Sequence, residues 1–270
     1  MKPHLIAIDL DGTLLRDNKT ISERTLNTIH HVRKLGHHVM IATGRPFRAS
    51  HVYYKQMGLN TPIVNYNGAY VHHPQDANWG TFHSPLELDV AQKIIDTCDK
   101  YNIRNIMAQV KDDVFLQTYD EAIMEFLTFG NPPKIEIGHV RENLKTETTS
   151  ILIHSKEEEI DSIRHHLAKE VGHYIEHRTS GSPWNIIEII KAGINKAVGV
   201  KKVADTYKIP EDRIIAFGDE DNDLEMLRFA KYGVAMGNAI DEVKSAAYDV
   251  TTSNQEDGLA LYLEKFFKIS

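Results

Sequence analysis

A chain of 270 residues with 41% hydrophobic and 26% charged residues has the composition of a globular protein and enough length for one large domain or two unequal ones. The net charge of −7 and the lack of a basic stripe argue against nucleic-acid binding, and no apolar run approaches the roughly 20 residues that span a bilayer. Neither a nucleic acid nor a membrane is an expected partner.

The first apolar run, His4 to Leu10, ends in acidic residues and reads as a buried parallel strand whose carboxyl end carries polar chemistry. It lacks the long apolar region and cleavage site of a signal peptide. The single cysteine, Cys98, cannot form an internal disulfide, which fits a reducing cytoplasm, the expected location. From Ser22 to Leu35 the spacing of Leu26, Ile29, Val32 and Leu35, with Ser22 as N-cap and Gly36 as terminator, predicts a helix. A strand from Val39 to Ala42 ends in Thr43-Gly44-Arg45. Pro46 then opens a helical stretch to about Gly58, and Ile63 to Val64 reads as a third strand.

This βαβαβ beginning implies an α/β fold with a parallel sheet, whose ligands bind outside the carboxyl ends of the strands. The last part repeats the rhythm with a helix from Lys196 to Tyr207, a strand from Ile214 to Phe217 and a helix near Leu224 to Phe229. A strand from Tyr232 to Ala235 and a final helix from about Leu259 follow. The middle differs: helices near 86–101, 122–128 and 157–169 interleave with strand-like runs near 103–110, 114–118, 151–154 and 186–190. The expected organisation is a Rossmann-like parallel-sheet core over 1–83 and 191–270 with an inserted α+β cap domain over 84–190.

Four segments carry candidate chemistry. Asp9-Leu10-Asp11-Gly12-Thr13 sets two carboxylates two residues apart at a strand end, on the same side, followed by a glycine that permits close approach and a hydroxyl donor. Thr43 and Gly44 could hold phosphoryl oxygens. Lys196 is a cation at a helix start. Gly218-Asp219-Glu220-Asp221-Asn222-Asp223 follows a strand at the same sheet edge. Like charges about 4 Å apart repel by roughly 1 kcal/mol in water and about 4 kcal/mol at an effective dielectric of 20, so their convergence demands a cation, and oxygen ligands suggest Mg²⁺.

Together with Asn67-Gly68-Ala69, these segments resemble the haloacid dehalogenase-like (HAD) hydrolase superfamily, and within it the Cof-type phosphatases with a large C2-type cap. The resemblance implies that Asp9 is the nucleophile and Asp11 the general acid and base. It implies that Asp9, the backbone carbonyl of Asp11 and Asp219 hold Mg²⁺, with Asp223 supporting the site. It also gives Thr43, Gly44, Lys196 and Asn222 the role of binding the substrate phosphate. The expected activity is hydrolysis of a small phosphorylated metabolite, a sugar phosphate or nucleotide-like phosphate, with Arg178, Ser182 and Trp184 as cap residues that read the substrate. Two alternatives stand beside it: a phosphomutase of the same superfamily and a non-catalytic phosphate sensor. Oligomeric state is not legible in these motifs.

Overall fold

The computed structural model describes residues 2–121, 124, 130–180 and 184–269. They fall into two compact units, one of residues 1–45, 51–82 and 195–270 and the other of residues 46–50 and 83–194. Among the described residues no helix is long and apolar enough to cross a membrane.

The first unit is built on a five-stranded parallel sheet in the order β14-β13-β12-β1-β2. Its members are β1 (Leu5–Ile8), β2 (His38–Ile41), β12 (Ile214–Gly218), β13 (Tyr232–Ala235) and β14 (Asp249–Val250). Every residue of β1 is buried, as a central parallel strand covered on both faces requires. Its register pairs Ile8 with Ile41 on one side and Phe217 on the other, so Asp9, Ala42 and Gly218 emerge together at the carboxyl edge. Helix α1 (Glu23–Lys34) starts where the Ser22 hydroxyl accepts a hydrogen bond from the Thr25 amide, and Gly36 follows its end with φ +88°.

The expected third strand takes a different place. β3 (Ile63–Asn65) touches the parallel sheet through a single bridge, Ala42 to Val64, and belongs to a three-stranded sheet with β4 (Tyr70–His72) and β5 (Thr81–His83). The left-handed backbone of Tyr66, Asn67 and Gly68 turns the chain back so that β3 and β4 run antiparallel. β4 and β5, three residues each and without an apolar run, are too short for sequence periodicity to reveal.

The second unit holds a six-stranded sheet in the order β10-β11-β9-β6-β7-β8. The strands are β6 (Asn105–Val110), β7 (Asp113–Leu116), β8 (Ile135–Ile137), β9 (Ser150–His154), β10 (Ile175–Ser180) and β11 (Ile186–Lys191). Helix α2 (Phe47–Gln56) begins in this unit and ends in the first. Val90, Ile94 and Ile95 of α3 (Leu88–Cys98) pack with Ile106, Ala108, Ile151, Ile153, Ile187 and Ile189. Ile163 and Leu167 lie in the same core, on the helix that follows the short α4 (Val140–Asn143), α5 (Glu157–Val171). The alternation along β6, β9 and β11 puts one face of each strand into that core. β10 escapes sequence detection because its residues, Ile-Glu-His-Arg-Thr-Ser, are mostly polar. The helix expected over 122–128 lies outside the described residues except for Met124.

Candidate active site

Asp9 is the first residue past β1, and its amide still donates to the Phe217 carbonyl at 3.2 Å, which ties it to the end of β12. Lys196 opens helix α6 (Lys196–Tyr207), whose N-cap Asn195 accepts from the Val198 amide at 3.1 Å. Far from lying on the surface, the lysine is wholly buried, and its Nζ donates to Asp9 Oδ1 at 2.6 Å and to Asp223 Oδ1 at 2.7 Å. The other Asp223 oxygen accepts from the amides of Asp219 at 3.0 Å and Glu220 at 3.2 Å, fixing the turn after β12. Asp219 accepts from the Thr13 hydroxyl at 2.7 Å.

Carboxylate oxygens of Asp9, Asp219 and Asp223 lie within 4.8 Å of one another, all in buried side chains. One ammonium faces three carboxyl groups, and the protonation preferences record the imbalance. Burial pushes the Asp9 carboxyl up against the pull of Lys196, and Asp223 and Asp219 add to the upward push. Burial likewise raises Asp219 to about 7, opposed by the Thr13 hydrogen bond and assisted by Asp223. Burial disfavours the Lys196 ammonium, yet Asp223 and Asp9 outweigh it and hold its pKa above the ordinary value. A hard divalent cation would relieve this excess of negative charge, and an all-oxygen donor set suits Mg²⁺. Gly12 leaves room beside this cluster: with φ +74°, it lies so close that an added Cβ would sit 2.0 Å from Asp219 Oδ2.

Asp11 has other partners. Its carboxylate accepts from Arg45 Nε and Nη2, each at 2.6 Å, and from Lys19 Nζ at 2.7 Å. Burial works upward on this carboxyl, but the two cations outweigh it and hold its pKa below the usual carboxylate range. The D-x-D spacing thus delivers two carboxylates with opposite electrostatics, Asp9 in a buried acidic cluster and Asp11 in a half-exposed cationic clasp. Sequence reasoning assigned no role to Arg45 or Lys19. Arg45 follows the Thr-Gly pair directly, whereas Lys19 reaches Asp11 from its own left-handed backbone, φ +61°, which its spacing from Asp11 does not announce.

Thr43 is buried and its hydroxyl accepts from the Arg45 amide at 3.1 Å, which shapes the turn after β2. Gly44 lies against the Asn67 side chain, where an added Cβ would stand 3.2 Å from both amide atoms. Asn222 donates to Asn67 Oδ1 at 3.0 Å. Asn238, likewise without a role in the sequence motifs, donates to the Gly12 carbonyl at 2.8 Å. In the second unit, Arg178 on β10 stands opposite Glu188 on β11, Trp184 is exposed, and Ser182 lies outside the described residues.

A carboxylate nucleophile candidate, a buried lysine and an acid cluster at the carboxyl edge of a parallel sheet define a phosphoryl-transfer class of site. The family model for haloacid dehalogenase-like hydrolases matches residues 6–263, and the chain belongs to that family. It is 53% identical, over 99% of both chains, to the 5-amino-6-(5-phospho-D-ribitylamino)uracil phosphatase YitU of Bacillus subtilis. It is 27% identical to the pyridoxal phosphate phosphatase YbhA of Escherichia coli, over 97% of this chain and 98% of that one. Among solved structures, a haloacid dehalogenase-like hydrolase from Bacteroides thetaiotaomicron superposes with a TM-score of 0.85 at 26% identity, covering 98% of this chain and 100% of the other. The chain is accordingly an enzyme, a phosphatase of the HAD type.

Proposed function

We propose that this phosphatase hydrolyses a small phosphorylated metabolite through a phosphoryl group carried on Asp9. The observation that carries the reading is the buried Asp9 carboxylate held 2.6 Å from Lys196 Nζ within the acid cluster. An oxygen of Asp9 attacks phosphorus, the ester P–O bond breaks, and Asp11 supplies the proton that the leaving oxygen takes up. Water deprotonated by Asp11 then attacks phosphorus, the acyl phosphate P–O bond breaks, and inorganic phosphate leaves with Asp9 regenerated as carboxylate.

Lys196 keeps Asp9 oriented and offsets charge on the phosphoryl oxygens, while Thr43, Gly44 and Asn222 bind those oxygens. Mg²⁺ held by Asp9, the Asp11 carbonyl and Asp219 would withdraw negative charge from the transferring group, with Asp223 steadying Asp219 and Lys196. Because Arg45 and Lys19 hold Asp11 ionised, its turn as proton donor requires that this clasp loosen.

The 53% identity to a phosphatase of a phosphoribitylamino-pyrimidine makes a phosphorylated polyol attached to a heterocycle the first substrate class to test. Residues 84–190 serve as the cap that selects the leaving group, with Arg178, Ser182 and Trp184 among the reading residues, and the enzyme works in the cytoplasm. A screen of purified protein with Mg²⁺ against 5-amino-6-(5-phosphoribitylamino)uracil, pyridoxal phosphate, sugar phosphates and p-nitrophenyl phosphate tests this. Release of inorganic phosphate supports hydrolysis, transfer of the group back to sugar would mark a mutase, and no turnover on any of them would mark a sensor.

A further inference from the structure

The turn Tyr66-Asn67-Gly68 is unusual in its backbone, because two successive non-glycine residues, at φ +52° and +51°, precede Gly68 at φ +103°. Asn tolerates the left-handed region and Tyr does so poorly, and strain of this kind persists where surrounding structure over-determines it, often at functional sites. The three segments packed against the turn are those that carry the phosphate-binding candidates. The Asn67 amide donates to the Thr43 carbonyl at 3.1 Å, and the side chain underlies Gly44. Gly68 lies so close to the Asn195 carbonyl, next to Lys196, that an added Cβ would stand 2.2 Å from its oxygen. Asn67 Oδ1 accepts the hydrogen bond from Asn222 Nδ2.

We infer that Asn67 is a positioning residue of the phosphoryl site, one whose buried carboxamide sets both the Asn222 side chain and the Gly44 turn before substrate arrives. The inference rests on the proposed function and adds a residue to it. Asn67 touches no reacting atom in this role. It fixes the rotamer of Asn222, whose Nδ2 it engages, and supports the Gly44 turn from beneath, so that both arrive at the phosphate already oriented.

The test is the binding of inorganic phosphate to the Mg²⁺-loaded full chain by calorimetry, which needs no turnover, together with the split between kcat and KM on p-nitrophenyl phosphate. Asn67→Gly removes the side chain and accepts the left-handed backbone; Asn67→Ser replaces it if the glycine variant melts early. A hydrogen bond lost between polar groups is worth up to about tenfold in binding. Asn67→Gly and Asn222→Ala should each weaken phosphate by about tenfold and raise KM, with melting near wild type. The double variant should fall clearly short of the product of the two, because Asn67 acts in part through Asn222. Wild-type phosphate affinity in Asn67→Gly, or a double variant weakened by the full product of about 100-fold, overturns the inference alone. A wild-type enzyme that binds no phosphate would overturn it together with the proposed function.

Discussion

The Arg45 guanidinium grips Asp11 through two nitrogens, Nε on Oδ2 and Nη2 on Oδ1, both at 2.6 Å. Paired forks of this geometry are among the stronger charge-assisted contacts. With Lys19 they hold Asp11 below its ordinary pKa, so its contribution to stability is present above the usual carboxylate range and is lost as pH falls through the folded value. Arg45→Ala leaves burial opposed by Lys19 alone, and the Asp11 titration, followed by carboxyl carbon NMR, should move upward. An unmoved titration would show that the clasp does not govern this proton.

Asp11 as proton donor predicts a dependence on the leaving group. For Asp11→Asn, kcat/KM should fall by about 10²- to 10⁴-fold on an alkyl phosphate, whose leaving oxygen needs the proton. On p-nitrophenyl phosphate, whose phenolate leaves unaided, the fall should be far smaller. Equal losses on both substrates would assign Asp11 a structural or metal-holding part instead.

Asp219 ties metal binding to pH. In the metal-free protein its carboxyl, raised to about 7, holds a proton that the unfolded chain has already released at its ordinary value of 3.8. The native state therefore binds more protons across that interval, and the metal-free protein should lose stability as pH rises from about 4 to 7. Mg²⁺ competes for the same oxygen, so its affinity should tighten through that range with proton release, and melting temperature should rise most on adding Mg²⁺ at and above pH 7. Melting curves across pH with and without Mg²⁺ read both trends, and a Mg²⁺ shift independent of pH would count against Asp219 as ligand.

Gly12 is open to a direct steric test. At φ +74°, with Asp219 Oδ2 only 2.0 Å from where a side-chain methyl would stand, Gly12→Ala meets both backbone strain and a clash with the proposed metal ligand. A loss of about 1–3 kcal/mol of stability and at least tenfold weaker Mg²⁺ binding are expected. Calorimetric Mg²⁺ titration of a folded Gly12→Ala protein measures this, and unaltered affinity would mean that Asp219 does not hold the metal.

Much of the first unit is written in short apolar runs that end in acids or in Thr-Gly: β1, β2 and β12 carry Asp9, Thr43 and Asp219 at one edge, and their apolar continuity announces parallel strands. Lys196 was legible only through its neighbours, since a lone lysine after a glycine turn reads as surface charge, whereas the fold buries it between two carboxylates. The partners of Asp11 were not legible, because Arg45 and Lys19 converge through loop conformation and not through spacing. The polar edge strand β10 and the reversal of β3 into β4 escaped for a similar reason: tertiary pairing, and not periodicity, makes them strands.

Every step of the proposed hydrolysis passes through Asp9 as the acceptor of the phosphoryl group. Borohydride reduces an acyl phosphate to an alcohol, so quenching turnover with borohydride and mapping the peptides by mass spectrometry locates the carrier. Homoserine at position 9, formed only when substrate and Mg²⁺ are both present and absent from Asp9→Asn, is the predicted result. Phosphate release with residue 9 unmodified, or undiminished turnover by Asp9→Asn, would contradict it.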